Sequence, residues 1–150
     1  MVKLPSSHAL QDQMIALIRA FGLHRPETTP CGQPVTVAEA HALLELQRDE
    51  PLSQQELGRR LSLEKSTVSR LVGQLEARLW VERRRSEADA RVLNLRMTTA
   101  GADAAAQLSL ARAAKFDRIL MAIPPEQRQQ VVAALETLVE AMREDNESET

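Results

Sequence analysis

Residues 52–101 read LSQQELGRRLSLEKSTVSRLVGQLEARLWVERRRSEADARVLNLRMTTAG, a pair of short helices followed by a β-hairpin. Ser53 and Glu56 have the spacing of a capping box, so a short helix opens there and buries Leu57 and Leu61. Leu61-Ser62-Leu63 interrupts it, and a longer helix then runs to about Arg78. Val68, Leu71, Val72, Leu75 and Leu79 fall on one face of that helix at its natural period, while Ser66, Ser69, Arg70, Gly73 and Gln74 occupy the other. Two strands follow, residues 81–84 and 92–97. The second alternates Leu93, Leu95 and Met97 inward with Asn94 and Arg96 outward.

The formal charge is −2, which argues against a generally basic coat, yet residues 53–98 hold ten Arg or Lys against six acids. That segment carries +4, with −2 before it and −4 after it. Positive charge confined to one part of a chain predicts one basic face.

Working outward, Leu10, Met14, Leu17, Ile18 and Phe21 recur at helical spacing, so residues 6–23 form an amphipathic helix. Residues 25–34 hold three prolines and Gly32 and read as a loop. A helix follows at 36–49, capped by Thr36 with Glu39 three residues on, and its stripe is Ala40, Leu43 and Leu44 with Gln47 at the rim. Beyond Thr98 a helix of about 24 residues buries Leu108, Phe116, Ile119 and Leu120. Pro124-Pro125 stops it, and Pro125 suits the first turn of a last helix burying Val132, Leu135, Leu138, Val139 and Met142. Residues 143–150 form a polar, acidic tail expected to fray. These outer stripes exceed what one small core can cover, so a second subunit is expected to cover them. The expectation is a mainly α chain with a small β-wing. A winged helix-turn-helix spans 36–98, residues 1–35 and 99–150 form a helical dimerisation region, and the whole is one intertwined domain per subunit.

Cys31 is the one cysteine, so no internal disulfide is available and nothing calls for an oxidising compartment. No apolar run approaches the ~18 residues of a membrane span, and Arg19 interrupts the apolar stretch near the N-terminus where a signal pattern would lie. A cytoplasmic protein without membrane contact is expected. No Gly-x-Ser-x-Gly, phosphate loop, His-Glu-x-x-His or Cys-x-x-Cys occurs, so no enzyme chemistry and no cofactor is indicated.

A helix-turn-helix places its second helix in the major groove of double-stranded DNA. Ser66, Thr67 and Ser69 would permit close approach, Arg70 can meet guanine bidentately, and Gln74 lies on the same face. Gly73 weakens the helix by up to about 1 kcal/mol relative to Ala; either close approach to DNA accounts for it or it is a tolerated helix glycine. Lys65, Arg59 and Arg60 suit phosphates, which fix register without reading sequence. Between the strands, Arg91 can enter a narrow minor groove, and Asp89 is placed to hold its guanidinium in a forked pair.

This constellation resembles the MarR family of winged-helix transcriptional regulators. The match lies in LSQQELGRRLSLEKSTVSRLVGQLEAR, VERR, Asp89 with Arg91, and Met97-Thr98-x-x-Gly101. The resemblance implies an obligate homodimer built from the first and last two helices, binding a pseudo-palindrome and usually repressing. It assigns base reading to residues 66–74 and the minor-groove contact to Arg91; Arg84 and Asp89 complete the candidate DNA-binding residues. Two features depart from the family. Leu79-Trp80 stands where many members have Gly-Leu, so either Leu79 adopts the left-handed conformation at roughly 1 kcal/mol or the helix ends differently. Ala88 and Ala90 replace the Arg or Pro common beside Asp89.

Family members commonly respond to small lipophilic or aromatic effectors bound between the DNA module and the dimer helices. Trp80 is a candidate for lining such a pocket, or a structural plug between helix and wing. Cys31 is a candidate thiol sensor, although it lacks a nearby cation or a second cysteine. His24, Cys31, Glu39 and His41 are weak candidates for a metal set, with His41 equally a structural residue. Two alternatives thus stand beside effector control: a metal- or thiol-responsive regulator of the same fold, and a winged helix that binds protein rather than specific DNA.

Overall fold

A computed structural model describes residues 4–149; residues 1–3 and 150 of the expected terminal regions lie outside the described residues. The elements run α1 (Ser7–Phe21), α2 (Val37–Arg48), β1 (Leu52–Ser53), α3 (Gln54–Leu61), α4 (Lys65–Ala77), β2 (Val81–Arg85), β3 (Leu93–Met97), α5 (Thr99–Ala122), a 3₁₀ turn (Pro125–Gln127) and α6 (Arg128–Ser148). The chain divides into two compact units at Arg112 and Ala113.

In the first unit, Thr36 opens α2 with both halves of its capping box made: Thr36 Oγ1 accepts from the Glu39 amide at 3.1 Å and Glu39 Oε2 accepts from the Thr36 amide at 2.8 Å. Ser53 caps α3 by accepting from the Glu56 amide at 3.0 Å, but the Glu56 carboxylate turns to Arg59 and Arg60 and leaves that box half made. Ser62 takes a left-handed conformation that ends α3, and the Leu63 amide donates to the Gly58 carbonyl at 3.0 Å. At Gly58 the two helices nearly touch: a Cβ there would lie 2.8 Å from Val68 Cγ2, so only glycine lets them cross so closely.

Three antiparallel strands in the order β1-β3-β2 close the wing. Strand β1 was not expected from the sequence; it pairs Leu52 with Leu95 and Ser53 with Asn94. The core gathers Leu43, Leu46, Leu57, Val72, Leu75 and Leu95, all fully buried, each worth about 1.5–3 kcal/mol of apolar burial. Val68, Leu71, Val72 and Leu75 are the buried face of α4 as expected, but Leu79 is 73% exposed. The α2 stripe is rotated from the expected one: Ala42 and Leu46 are buried beside Ala40 and Leu43, Leu44 is half-buried and Gln47 is exposed. Leu61 is likewise only half-buried.

Helix α5 buries Gly101, Ala105 and Leu108 in its first half. Phe116, Ile119 and Leu120, expected to be buried, are exposed within this single chain. In the second unit α6 follows Pro125, which opens the 3₁₀ turn, and it stays helical to Ser148 through the tail expected to fray. No residue of α6 is buried; Val132, Leu135, Val139 and Met142 are exposed.

Candidate DNA-binding surface

Helix α4 presents Ser66, Ser69, Arg70 and Gln74 to solvent, with Thr67 and Gly73 half-buried at the edges of that face. Its buried side is anchored on the core, so the polar side is held outward by packing rather than by choice of rotamer. A Cβ added at Gly73 would meet nothing closer than Arg83 Nη2 at 3.8 Å, so protein packing does not demand glycine there.

The basic segment divides sharply once its partners are traced. Arg60 reaches Glu45 at 3.0 Å, Asp49 at 2.8 Å and Glu56 at 3.1 Å, tying α2 to α3. Three carboxylates thus surround the guanidinium that the sequence assigned to phosphate. Hydrogen bonds from Arg59 and Arg60 hold the Glu56 carboxyl down to about 2, and the Arg60 hydrogen bond likewise lowers Asp49. Arg59 forks onto Glu56 at 2.9 and 2.7 Å while remaining exposed. Arg78 grips the buried Glu39 at 3.0 Å and lies over the Trp80 ring, 4.8 Å from its centroid. Arg83 pairs with Glu76, and Arg84 with Glu82 at 2.8 Å. Arg85 donates to the Ala90 carbonyl at 2.9 Å and braces the wing loop. Among the described residues this leaves Lys65, Arg70, Arg91 and Arg96 of the segment without a side-chain partner, all exposed. Arg96, which the sequence placed only on the outer face of its strand, belongs with the candidate cations.

Lys65 and Arg91 line one cleft of about 510 Å³, together with Gln54, Gln55 and Leu93. The start of α3, the start of α4 and the wing are thus brought to one place. Asp89 acts differently from expectation: Asp89 Oδ1 accepts from the backbone amide of Arg91 at 2.9 Å, and no ion pair joins their side chains. The short acidic side chain satisfies the turn and leaves the guanidinium uncommitted.

Helix α4 ends on Leu79 in the left-handed conformation, φ 59°, so the missing glycine is tolerated rather than bypassed. The turn is clamped by Thr98, the residue before α5. Thr98 Oγ1 donates to the Leu79 carbonyl at 2.6 Å and the Thr98 amide to the Trp80 carbonyl at 3.0 Å. A Cβ at Gly101 would fall 1.9 Å from the Trp80 carbonyl oxygen, which explains the Thr98-x-x-Gly101 pattern. Trp80 is half-buried against the core, between this clamp and Arg78.

The candidate sensor residues do not converge. Glu39 is engaged by Thr36 and Arg78, His24 is exposed, and Cys31 Sγ shares a 3.0 Å hydrogen bond with Thr29 Oγ1. Among the described residues no three of His, Cys, Asp or Glu come together as a metal set. His41 lies on the outer side of α2, where crowding that withdraws its ring from water, and secondarily Arg112, push its pKa below the usual imidazole value against a weaker upward pull from Glu45. No helix among the described residues is long and apolar enough to cross a membrane.

The geometry defines a winged helix, and residues 33–92 match the MarR family model. Among curated proteins the sequence has no match. Among solved structures the chain is similar to Streptococcus pneumoniae FabT in complex with DNA, at 16% identity and TM-score 0.77, covering 93% of this chain and 99% of that one. It is also similar to the PcaV transcriptional regulator of Streptomyces coelicolor with its natural ligand, at 19% identity and TM-score 0.71, covering 95% and 99%. The S. aureus MepR–DNA complex is similar at 18% identity and TM-score 0.68, covering 92% and 99%.

Proposed function

We propose that this chain is a sequence-specific DNA-binding transcriptional regulator, not an enzyme. It acts as a homodimer on a pseudo-palindromic operator, represses, and is relieved by a small lipophilic or aromatic effector. The observation that carries the reading is the survival of Lys65, Arg70 and Arg91 as unpartnered cations while the arginines around them are tied internally. Salt-bridged arginines hold the fold; the uncommitted ones sit where a duplex would be touched, on α4 and at the wing tip. Two of the similar structures were solved with DNA, which supports the same reading. The exposed apolar stripes of α1, α5 and α6 support dimerisation, because monomers rarely leave such faces in water.

The test is fluorescence anisotropy of a labelled duplex from the gene's upstream region beside a scrambled one. Tight binding of the upstream duplex alone, with two subunits per site, is expected. Arg91→Ala should abolish the preference while leaving weak salt-dependent binding. Equal weak binding of both duplexes by the unaltered protein, or an Arg91→Ala variant as tight as wild type, would contradict the reading.

A further inference from the structure

We propose that Arg83 is a positioning residue that staples the wing to α4, so that both DNA-reading elements meet a duplex at one fixed spacing; this rests on the function proposed above. Arg83 starts in β2, between Glu82 and Arg84 whose side chains stay in solvent. Its own side chain is 27% exposed, against 68% for Arg84, because it crosses from the sheet to the helix. There its Nε pairs with the Glu76 carboxylate and its Nη2 donates to the Ser69 carbonyl at 3.2 Å. Glu76 lies two turns beyond Ser69, and helical side chains lean back toward the N-terminus, so one guanidinium can bridge both. Gly73 sits between them, and Arg83 Nη2 passes 3.8 Å from where its Cβ would stand, at ordinary contact distance along the helix surface.

The bonds continue outward to the tip. Arg85 holds the Ala90 carbonyl and Asp89 holds the Arg91 amide. Leu52, Val81 and Leu95 anchor the base of the sheet in the core, whereas residues 84–91 at its far end include no buried side chain, so core packing fixes the base of the wing and not its tip. Fixing it before binding removes an ordering cost that a swinging wing would meet on the duplex.

The rival is that Arg83 itself touches a phosphate, and the two ideas differ in sign at Glu76. The experiment compares Arg83→Ala, Glu76→Gln and the double variant by anisotropy, on the duplex that wild type recovers from a randomised pool. Amide order parameters of residues 86–91 are measured in each free protein. A staple predicts that each single variant weakens specific binding about tenfold, that the double variant is no worse, and that Arg91→Ala loses much of its effect in the Arg83→Ala background. It also predicts wing order parameters falling from about 0.85 toward 0.6 while those of the core stay unchanged. Stronger or unchanged binding by Glu76→Gln, with Arg83→Ala weakened, would make Arg83 a phosphate contact and overturn the proposal. If wild type recovers no preferred duplex, the regulator reading fails by itself. The order parameters still decide the staple, and an unchanged wing in both variants sinks it.

Discussion

Helices α4 and α6 carry the same kind of apolar stripe and meet different fates. Helix α4 buries Val68, Leu71, Val72 and Leu75 inside its own chain, while α6, longer by eight residues, buries none. Leu75 is fully enclosed and Leu135 is 45% exposed. Periodicity is identical evidence in the two cases, because it reports that a face must be covered and not by what. The winged unit closes a core from within the chain; the last helix leaves its apolar stripe exposed within the chain.

The sharpest way to break that contrast is a pair of substitutions. Leu75→Ala should cost about 3 kcal/mol of unfolding free energy, independent of protein concentration, as a cavity in a closed core does. Leu135→Glu should instead lower the association state seen by sedimentation and abolish the concentration dependence of Tm that a dimer shows. A concentration-independent loss in both would mean that α6 is not an interface.

Next in size is the seam where the buried half of α5 joins the wing. Gly101→Ala forces a methyl group into the Trp80 carbonyl and should destabilise by about 2 kcal/mol or more in denaturant titrations. Gly73→Ala, whose Cβ meets only ordinary contact, should leave the fold intact or raise stability by up to about 1 kcal/mol. Comparable losses at the two glycines would contradict the packing described.

A smaller effect of opposite sign is expected at Leu79. The side chain is largely in water and its backbone is left-handed, so Leu79→Gly should stabilise by up to about 1 kcal/mol in the same titration. A loss would show that the exposed leucine has a contact in the assembled protein.

The smallest effect belongs to the Arg59–Glu56–Arg60 cluster. Glu56 has a folded pKa of about 2 against an ordinary value of 4.5. Its contribution is therefore complete above the ordinary value and disappears as pH falls through the folded one. Stability should decline across that acid window, and Glu56→Gln should flatten the decline. An unaltered pH profile in the variant would assign the acid sensitivity to other carboxylates.

Much of this was legible beforehand because the signals were local. The Thr36–Glu39 capping box, the apolar face of α4, the hairpin and the Pro124-Pro125 break depend on residues a few positions apart. Strand β1 was not legible, since two residues have no period to read; Leu52 and Ser53 become a strand only because β3 is there to pair with them. The rotation of the α2 stripe toward Ala42 and Leu46 had the same cause. Small and large apolar residues lie on both sides of that helix, and the neighbours it packs on choose between them.

Charge shows the division most clearly. The amino-acid sequence determined that ten cations would crowd into residues 53–98, that a helix and a hairpin would carry them, and that Leu79 would replace a glycine at the joint. Only the tertiary structure decided which cations are tied down: Arg60 by carboxylates of α2 and α3, Arg83 by α4, and neither Lys65 nor Arg91 by any residue described. The reason is physical. An arginine's partner is whatever acceptor folding brings within about 3 Å, and that distance belongs to the packing of elements far apart in the chain.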